Sequence, residues 1–169
     1  MMQRIQRILR HRWLDESDTQ RAIPPALAQR LAERVAASER RHSGEVRIYI
    51  EAGLPLGYLW RDATPRDRAI ALFGKLGVWD TEQNNGVLIY LLLAEHAIEV
   101  VADRGLSRHV PQEQWQQIVQ RMSGAFRAGR YEEGLAQAVD EVTALLQRHY
   151  PLGEGEANPN ELPDHPVLG

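Results

Sequence analysis

VWDTEQNNGVLIYLLLAEHAIEVVADRG, residues 78–105, sets a polar, turn-forming stretch from Asp80 to Gly86 directly before seven consecutive apolar residues, Val87 to Leu93. So short an apolar run, bounded by turn residues, reads as a strand buried on both faces, spanning Gly86 to Leu93. A second β-rich run, Ala97 to Ala102, follows after only Ala94-Glu95-His96. That connection is short enough to force an antiparallel hairpin.

Working back toward the N-terminus, EVRIYIE (45–51) alternates Val46, Ile48 and Ile50 against Glu45, Arg47, Tyr49 and Glu51, the two-residue period of a strand. Between it and strand 86–93 lies a helical pattern over 65–77, opened by Thr64-Pro65, carrying Ala69, Leu72, Phe73 and Leu76, and stopped by Gly77. A strand, crossover helix and strand imply a parallel pair. The expected fold is therefore α/β: a small mixed sheet on 45–51, 86–93 and 97–102, combining a parallel crossover with an antiparallel hairpin, flanked by helices on both faces. The remaining helices are expected near 25–42, where Ile23, Leu27, Leu31 and Val35 recur behind Pro24-Pro25, near 111–128 with Trp115, Ile118, Val119, Met122 and Phe126 on one face, and near 131–149 with Tyr131, Leu135, Val139, Val142 and Leu146.

Two flanking segments differ in character. Met1, Ile5, Ile8, Leu9 and Trp13 fall at helical spacing among Arg4, Arg7, Arg10 and Arg12, a basic amphipathic helix. It suits either the domain's own core or weak contact with an anionic membrane surface through residues 1–14. An acidic loop, LDESD, follows, so residues 1–24 form an N-terminal helix and loop. The segment EAGLPLGYLWRDA (51–63) reads as a connection folded back over the core. Residues 25–151 make the α/β domain, and 152–169 make a tail with three prolines, three glycines and four acids among its eighteen residues. Such a composition is expected to be disordered or loosely draped.

The 169 residues suit one core, and 43% hydrophobic with 25% charged residues is ordinary for a globular protein. A net charge of -3 gives no electrostatic reason to expect nucleic acid. With no cysteine, disulfides, thiolate metal sites and iron–sulfur clusters are excluded, leaving oxygen or imidazole ligands. No apolar run reaches the ~20 residues of a membrane span, and no secretory signal pattern opens the chain. A cytoplasmic location is expected. The phosphate loop GxxxxGK[ST], GxGxxG, GxSxG and HExxH are all absent, so neither a nucleotide nor haem is expected. His11, His42, His96, His109, His149 and His165 lie far apart in sequence and mostly at element ends.

Topology nominates the candidate site. In an antiparallel pair the entrance of strand 86–93 lies beside the exit of strand 97–102, so Asp80, Glu82, Asn84 and Asn85 meet Asp103 and Arg104. Carboxylates with asparagine carbonyls suit a hard cation such as Ca²⁺ or Mg²⁺; Asp80, Asn84, Asn85 and Asp103 are the candidate metal ligands, with Glu82 and Arg104 in the shell around them and Arg104 suited to meet an anion. The same residues also suit plain turn chemistry: Asp80 as a cap, Asn84-Asn85-Gly86 as the source of positive φ, and Asp103 paired with Arg104 or Arg108. Glu51, leaving its strand at the opposite end of the sheet, is outside this cluster.

LFGKLGVWDTEQNNGVLIYLLLAEHAIEVVADRGL (72–106), then a Trp-bearing helix, then FRAGRYEEGLAQAVDEVTALL (126–146) together resemble the TPM domain, named from a thylakoid-lumen protein, a photosystem II repair protein and a receptor modulator. The carrying marks are NNGVLI, the DRG that ends the strand pair, and Phe126 three residues before a Gly-Arg-Tyr turn into a helix bearing EEGL; the likeness covers roughly 25–150. It implies a compact α/β sandwich, divalent-cation binding through loop acids, weak acid phosphatase activity in the plastid case, and assembly or repair roles in membrane-tethered proteins. The signal peptide and C-terminal membrane helix common among bacterial members are missing from this pattern, so a soluble, single-domain bacterial-type member is expected. Two functions remain open: a cation-binding interaction or assembly module with a protein partner that the sequence does not name, or a metal-dependent phosphatase, a phosphomonoester hydrolase in which the cation polarises a phosphoryl oxygen and Arg104 steadies the anion. His109 is the one local residue suited to acid–base work in the second.

Overall fold

A computed structural model describes residues 2–169. The chain forms α1 (Met2–Arg12), α2 (Glu16–Ala22), α3 (Pro25–Glu39), β1 (Glu45–Glu51), α4 (Leu56–Trp60), α5 (Pro65–Lys75), β2 (Gly86–Leu92), β3 (Ala97–Ala102), α6 (Arg104–Ser107), α7 (Gln112–Arg127), α8 (Tyr131–His149) and β4 (Val167–Leu168). Strand order is β3-β2-β1-β4. As expected, β1 runs parallel to β2 with Glu45 opposite Gly86, and β2 pairs antiparallel to β3 with Val87 opposite Ala102. The short link between β2 and β3 is a 3₁₀ turn, Leu93–Glu95, closed by His96 at φ +48°.

Every residue of β2 is buried because helices cover both faces. On one face Val46, Ile48 and Ile50 of β1 and Val87, Ile89 and Leu91 of β2 meet α3, α7 and α8. On the other, Leu88, Tyr90 and Leu92 of β2 with Val101 of β3 meet Leu59 of α4 and Ala69 and Leu72 of α5. The segment 51–63 thus folds back over the core, and α4 inside it is an addition to the sequence reading.

Helix bounds shift slightly from expectation. The helix expected over 25–42 ends at Glu39 because His42 turns away to bridge Pro151, and the one expected over 65–77 ends at Lys75 ahead of Gly77 at φ +67°. The expected acidic loop is in part α2, whose start is a capping box: Asp15 accepts from the Ser17 N–H at 2.8 Å, and Asp18 accepts from the Asp15 N–H at 2.9 Å. Charged residues that look like solvated loop can thus nucleate a helix turn.

The larger correction concerns residues 152–169, which are neither disordered nor loosely draped. Val167 and Leu168 form β4 beside Tyr49 and Ile50, parallel to β1, and the Gly169 N–H donates to the Ile50 carbonyl at 2.7 Å. Upstream, the Asn158 side-chain amide donates to the carbonyls of His42 and Gly44 at 2.8 and 2.9 Å. Arg47 donates to the carbonyls of Pro163 and His165 at 2.6 and 2.7 Å. The segment is held by its backbone, which composition does not display.

Where the segment crosses the start of β1, buried acids accumulate. Glu39 accepts from the Val46 N–H at 2.9 Å, and the fully buried Glu45 accepts from the Leu162 N–H at 3.2 Å. Burial first, then the neighbouring charges of Glu45 and Asp164, push the Glu39 carboxyl up to about 9; burial also raises Glu45. His42, fully buried with Nε2 2.8 Å from Ser38 Oγ, is pushed down to about 4 by burial. These shifts set a pH profile. Above its ordinary 4.5 an unfolded Glu39 ionises while the folded one keeps its proton, so stability falls with pH until about 9. His42 opposes this between about 4 and its ordinary 6.5, where the unfolded chain binds the extra proton. Glu39 therefore acts unopposed from pH 6.5 to 9. Thermal midpoints are expected to fall steadily across that window, and Glu39→Gln, which keeps the acceptor for Val46, is expected to raise the midpoint at pH 8 and flatten the fall. A variant with an unchanged pH 8 midpoint would remove Glu39 as the cause.

Candidate functional site

The loop 80–86 and the segment 103–105 meet at the end of the sheet where β2 begins and β3 ends, as the topology requires. Two backbone bonds stitch them: the Asp103 N–H donates to the Gly86 carbonyl at 2.9 Å, and the Gly105 N–H to the Asn84 carbonyl at 2.8 Å. The approach is too close for side chains. A Cβ on Gly86 would lie 2.1 Å from the Val78 carbonyl oxygen, and one on Gly105 would lie 2.4 Å from that of Asn84. Asn84 takes φ +52°, a conformation asparagine tolerates well, so the turn reading holds for Asn84 but not for Asn85 or Gly86, neither of which has positive φ.

Burial divides the candidates. Asn85 and Asp103 are buried; Asp80, Glu82, Asn84 and Arg104 are exposed. Asn85 is fixed by its backbone N–H on Thr81 Oγ1 at 3.1 Å and its amide on Ser43 Oγ at 3.2 Å. Asp103 accepts from the Arg104 N–H at 2.7 Å and caps α6; it forms no ion pair with Arg104 or Arg108 among the described residues. Each keeps one buried oxygen with no hydrogen-bond partner, Oδ1 of Asn85 and Oδ2 of Asp103. Buried acceptors are nearly always satisfied, so two orphans on segments tied to each other are unusual.

Two residues at the rim escaped the sequence reading. Ser43, in the turn between α3 and β1, donates to Gln83 Oε1 at 2.9 Å, and Glu161 accepts from the Glu82 N–H at 3.2 Å. Both are remote in sequence, and only the parallel start of β1 and the docking of the C-terminal segment bring them here. Beyond Gly105, the Tyr150 phenol is raised by burial and by Asp103, against the lowering effect of Arg108. His109 stacks on His149 with ring centroids 5.0 Å apart, and desolvation, His109 and Arg148 lower His149. A cleft of about 320 Å³ opens alongside, with Ser107, Arg108 and His109 in its wall.

Among the described residues no group of three or more His, Asp or Glu side chains could hold a metal ion. A cation here would rest on the Asp103 carboxylate, the Asn85 carbonyl, backbone oxygens and water. That all-oxygen set fits Ca²⁺ or a largely hydrated Mg²⁺, and not zinc.

At the far end of the sheet Glu51 makes a different kind of centre. Arg68 donates to it twice, at 2.6 and 3.0 Å, and the Tyr90 hydroxyl donates at 2.8 Å. The Arg68 guanidinium lies 5.0 Å from the Tyr58 ring centroid. Both carboxylate oxygens of Glu51 are satisfied, so this group is structural.

No curated protein matches the chain. Among solved structures, the BA42 protein of the psychrophilic bacterium Bizionia argentinensis superposes with a TM-score of 0.74 at 22% identity, over 87% of this chain and 95% of that one. The N-terminal domain of a P. gingivalis protein gives 0.61 at 24% identity, over 76% and 81%. At such identities the likeness is one of fold. No helix among the described residues is long and apolar enough to cross a membrane. A model of the TPM domain matches residues 17–145, taking in α2 through most of α8 and both halves of the candidate site. The chain belongs to the TPM domain family.

Proposed function

We propose that this TPM domain binds a divalent cation, Ca²⁺ or Mg²⁺, at the junction of loop 80–86 with residues 103–105, and serves as an interaction or assembly module whose rim the cation stiffens. The carrying observation is the pair of buried, unpartnered oxygens, Asn85 Oδ1 and Asp103 Oδ2. A hard cation would satisfy both and offset the negative charge of Asp103, with the exposed Asp80 and Asn84 available through water. Few protein ligands imply weak binding.

At about a hundred times its dissociation constant a cation is expected to add ~2.7 kcal/mol, a rise of several degrees in thermal midpoint. Asp103→Asn should abolish this shift. Asparagine is as good a helix cap as aspartate, so the apo variant should melt close to the parent. A wild-type midpoint that neither Ca²⁺ nor Mg²⁺ moves, with no heat in a calorimetric titration, would reduce the site to a tightly made turn.

A second reading, a metal-assisted phosphomonoester hydrolase, draws on Arg104, Arg108 and His109 beside Asp103 and the cleft next to them. A bound cation would supply polarisation of a phosphoryl oxygen; Arg104 and Arg108 would hold the anion and His109 could move a proton. Metal-dependent release of p-nitrophenol from p-nitrophenyl phosphate, lost in His109→Ala, is what this reading requires.

A further inference from the structure

Helix α1 is attached to the domain by its polar face. Arg7 donates to Glu95 at 2.8 Å, to Asp62 at 2.9 Å and to the Ala63 carbonyl at 2.7 Å. The buried His11 places Nε2 2.8 Å from the same Glu95 oxygen and accepts from the Leu54 N–H at Nδ1, 3.0 Å away. Arg4 donates to the Trp60 carbonyl of α4. At 100° per residue, Arg4, Arg7 and His11 lie within one narrow sector. The opposite sector carries Met2, Ile5, Leu9 and Trp13, and it faces solvent: Met2 is 77% and Trp13 84% exposed, with Ile5 and Leu9 half exposed. An amphipathic helix on a globular domain ordinarily turns its apolar face inward. Here three side chains fix it the other way round.

We infer that this face docks on the surface of an anionic lipid bilayer. Charge selects that occupant. Arg10 and Arg12 are exposed, have no acidic partner among the described residues, and fall on the two flanks of the apolar stripe. No acid occurs from residue 2 to residue 14. Of the acids that follow in sequence, Asp15 and Asp18 are engaged in the cap of α2, and Asp18 also pairs with Arg21, while the exposed Asp62 is taken up by Arg7; Glu16 is the first exposed carboxylate along the chain without such a partner. Basic residues bordering a stripe of Ile, Leu and Trp make the pattern of a helix lying in a bilayer interface, its apolar side chains below the headgroups and its cations among them. A second copy of the chain on the same face would bring one set of unpaired arginines toward another, with no acid in residues 2–14 to meet them. An apolar slot of about 410 Å³ between Leu9, Trp13, Leu14 and Leu93 continues the stripe toward the domain, giving an acyl chain room beside Trp13.

The full chain is tested by flotation with phosphatidylcholine vesicles and with vesicles that also contain phosphatidylserine. Binding to the anionic vesicles, weakened by salt and accompanied by a blue shift of tryptophan emission that Trp13→Ser removes, is expected. Arg10→Gln with Arg12→Gln should weaken that binding roughly thirty-fold. Leu9→Gln with Trp13→Ser should abolish it while leaving the thermal midpoint unchanged, since both side chains are exposed. Failure to bind anionic vesicles, or equal binding by the Leu9→Gln, Trp13→Ser variant, overturns the inference. A dimer in sedimentation equilibrium that the same variant dissolves, without vesicle binding, would assign the face to a second copy instead.

Discussion

Arg68→Ala is expected to cost about 3–5 kcal/mol and to lower the thermal midpoint by on the order of ten degrees. The reason is what it leaves behind. Glu51 is buried at the end of β1, with both oxygens committed to Arg68 and one shared with the Tyr90 hydroxyl. Removing the guanidinium strands a carboxylate in a low-dielectric setting with one phenol for company, and takes the cation from above the Tyr58 ring. Replacing the whole group with apolar residues, Glu51→Leu, Arg68→Met and Tyr90→Phe together, should recover most of the loss, because a buried ion pair contributes little net once its desolvation is counted. Urea denaturation of the three proteins at pH 8 measures this. A single variant less than a kilocalorie below the parent at pH 8 would mean that water or backbone groups replace the arginine.

Deleting residues 153–169 should be nearly as damaging, although their composition suggests a dispensable tail. The deletion bares the outer edge of β1 along Tyr49 and Ile50. It removes the carbonyls that Arg47 holds and the amide with which Asn158 ties His42 to Gly44. It also uncovers Glu45, whose Oε2 accepts from Leu162, and strips Leu162 and Leu168 from the two halves of the core. A midpoint lowered by on the order of ten degrees is expected, together with concentration-dependent aggregation through the exposed strand edge. A truncated protein melting within a degree or two of the full chain would show these bonds to be incidental.

What could be read from the sequence followed how much each residue's place depends on its neighbours in the chain. The alternation of 45–51, the apolar run of 86–93 and the stripes of 111–128 and 131–149 are burial patterns written locally, and they placed β1, β2, β3, α7 and α8. β4 has two residues and no pattern of its own; it is a strand because β1 offers an unpaired edge. α2 is polar throughout, and its capping box and the buried Ile23 beyond it hold it in place. At the candidate site the topology correctly brought loop 80–86 to Asp103. It could not tell the exposed Asp80 from the buried Asp103, because that difference arises when α6 turns over the stitched backbone. Ser43 and Glu161 entered only through long-range pairing. The orientation of α1 was likewise out of reach, since a helical wheel gives a stripe without saying which side meets the domain.

The position of β4 has a consequence in time. A ribosome adding roughly 5–20 residues per second takes on the order of ten seconds to pass from Tyr49 to Val167, its register partner. Once residues 86–92 have been made β1 can pair with β2, and its other edge then lies open while α6, α7 and α8 are added. The closing contact is also among the most distant in the chain, the kind that forms late because its loop entropy is met before any reward. The nascent domain is thus exposed to other strands at one defined edge for most of its synthesis, and a chaperone that shields β1 from about residue 51 onward would act where the chain is most vulnerable.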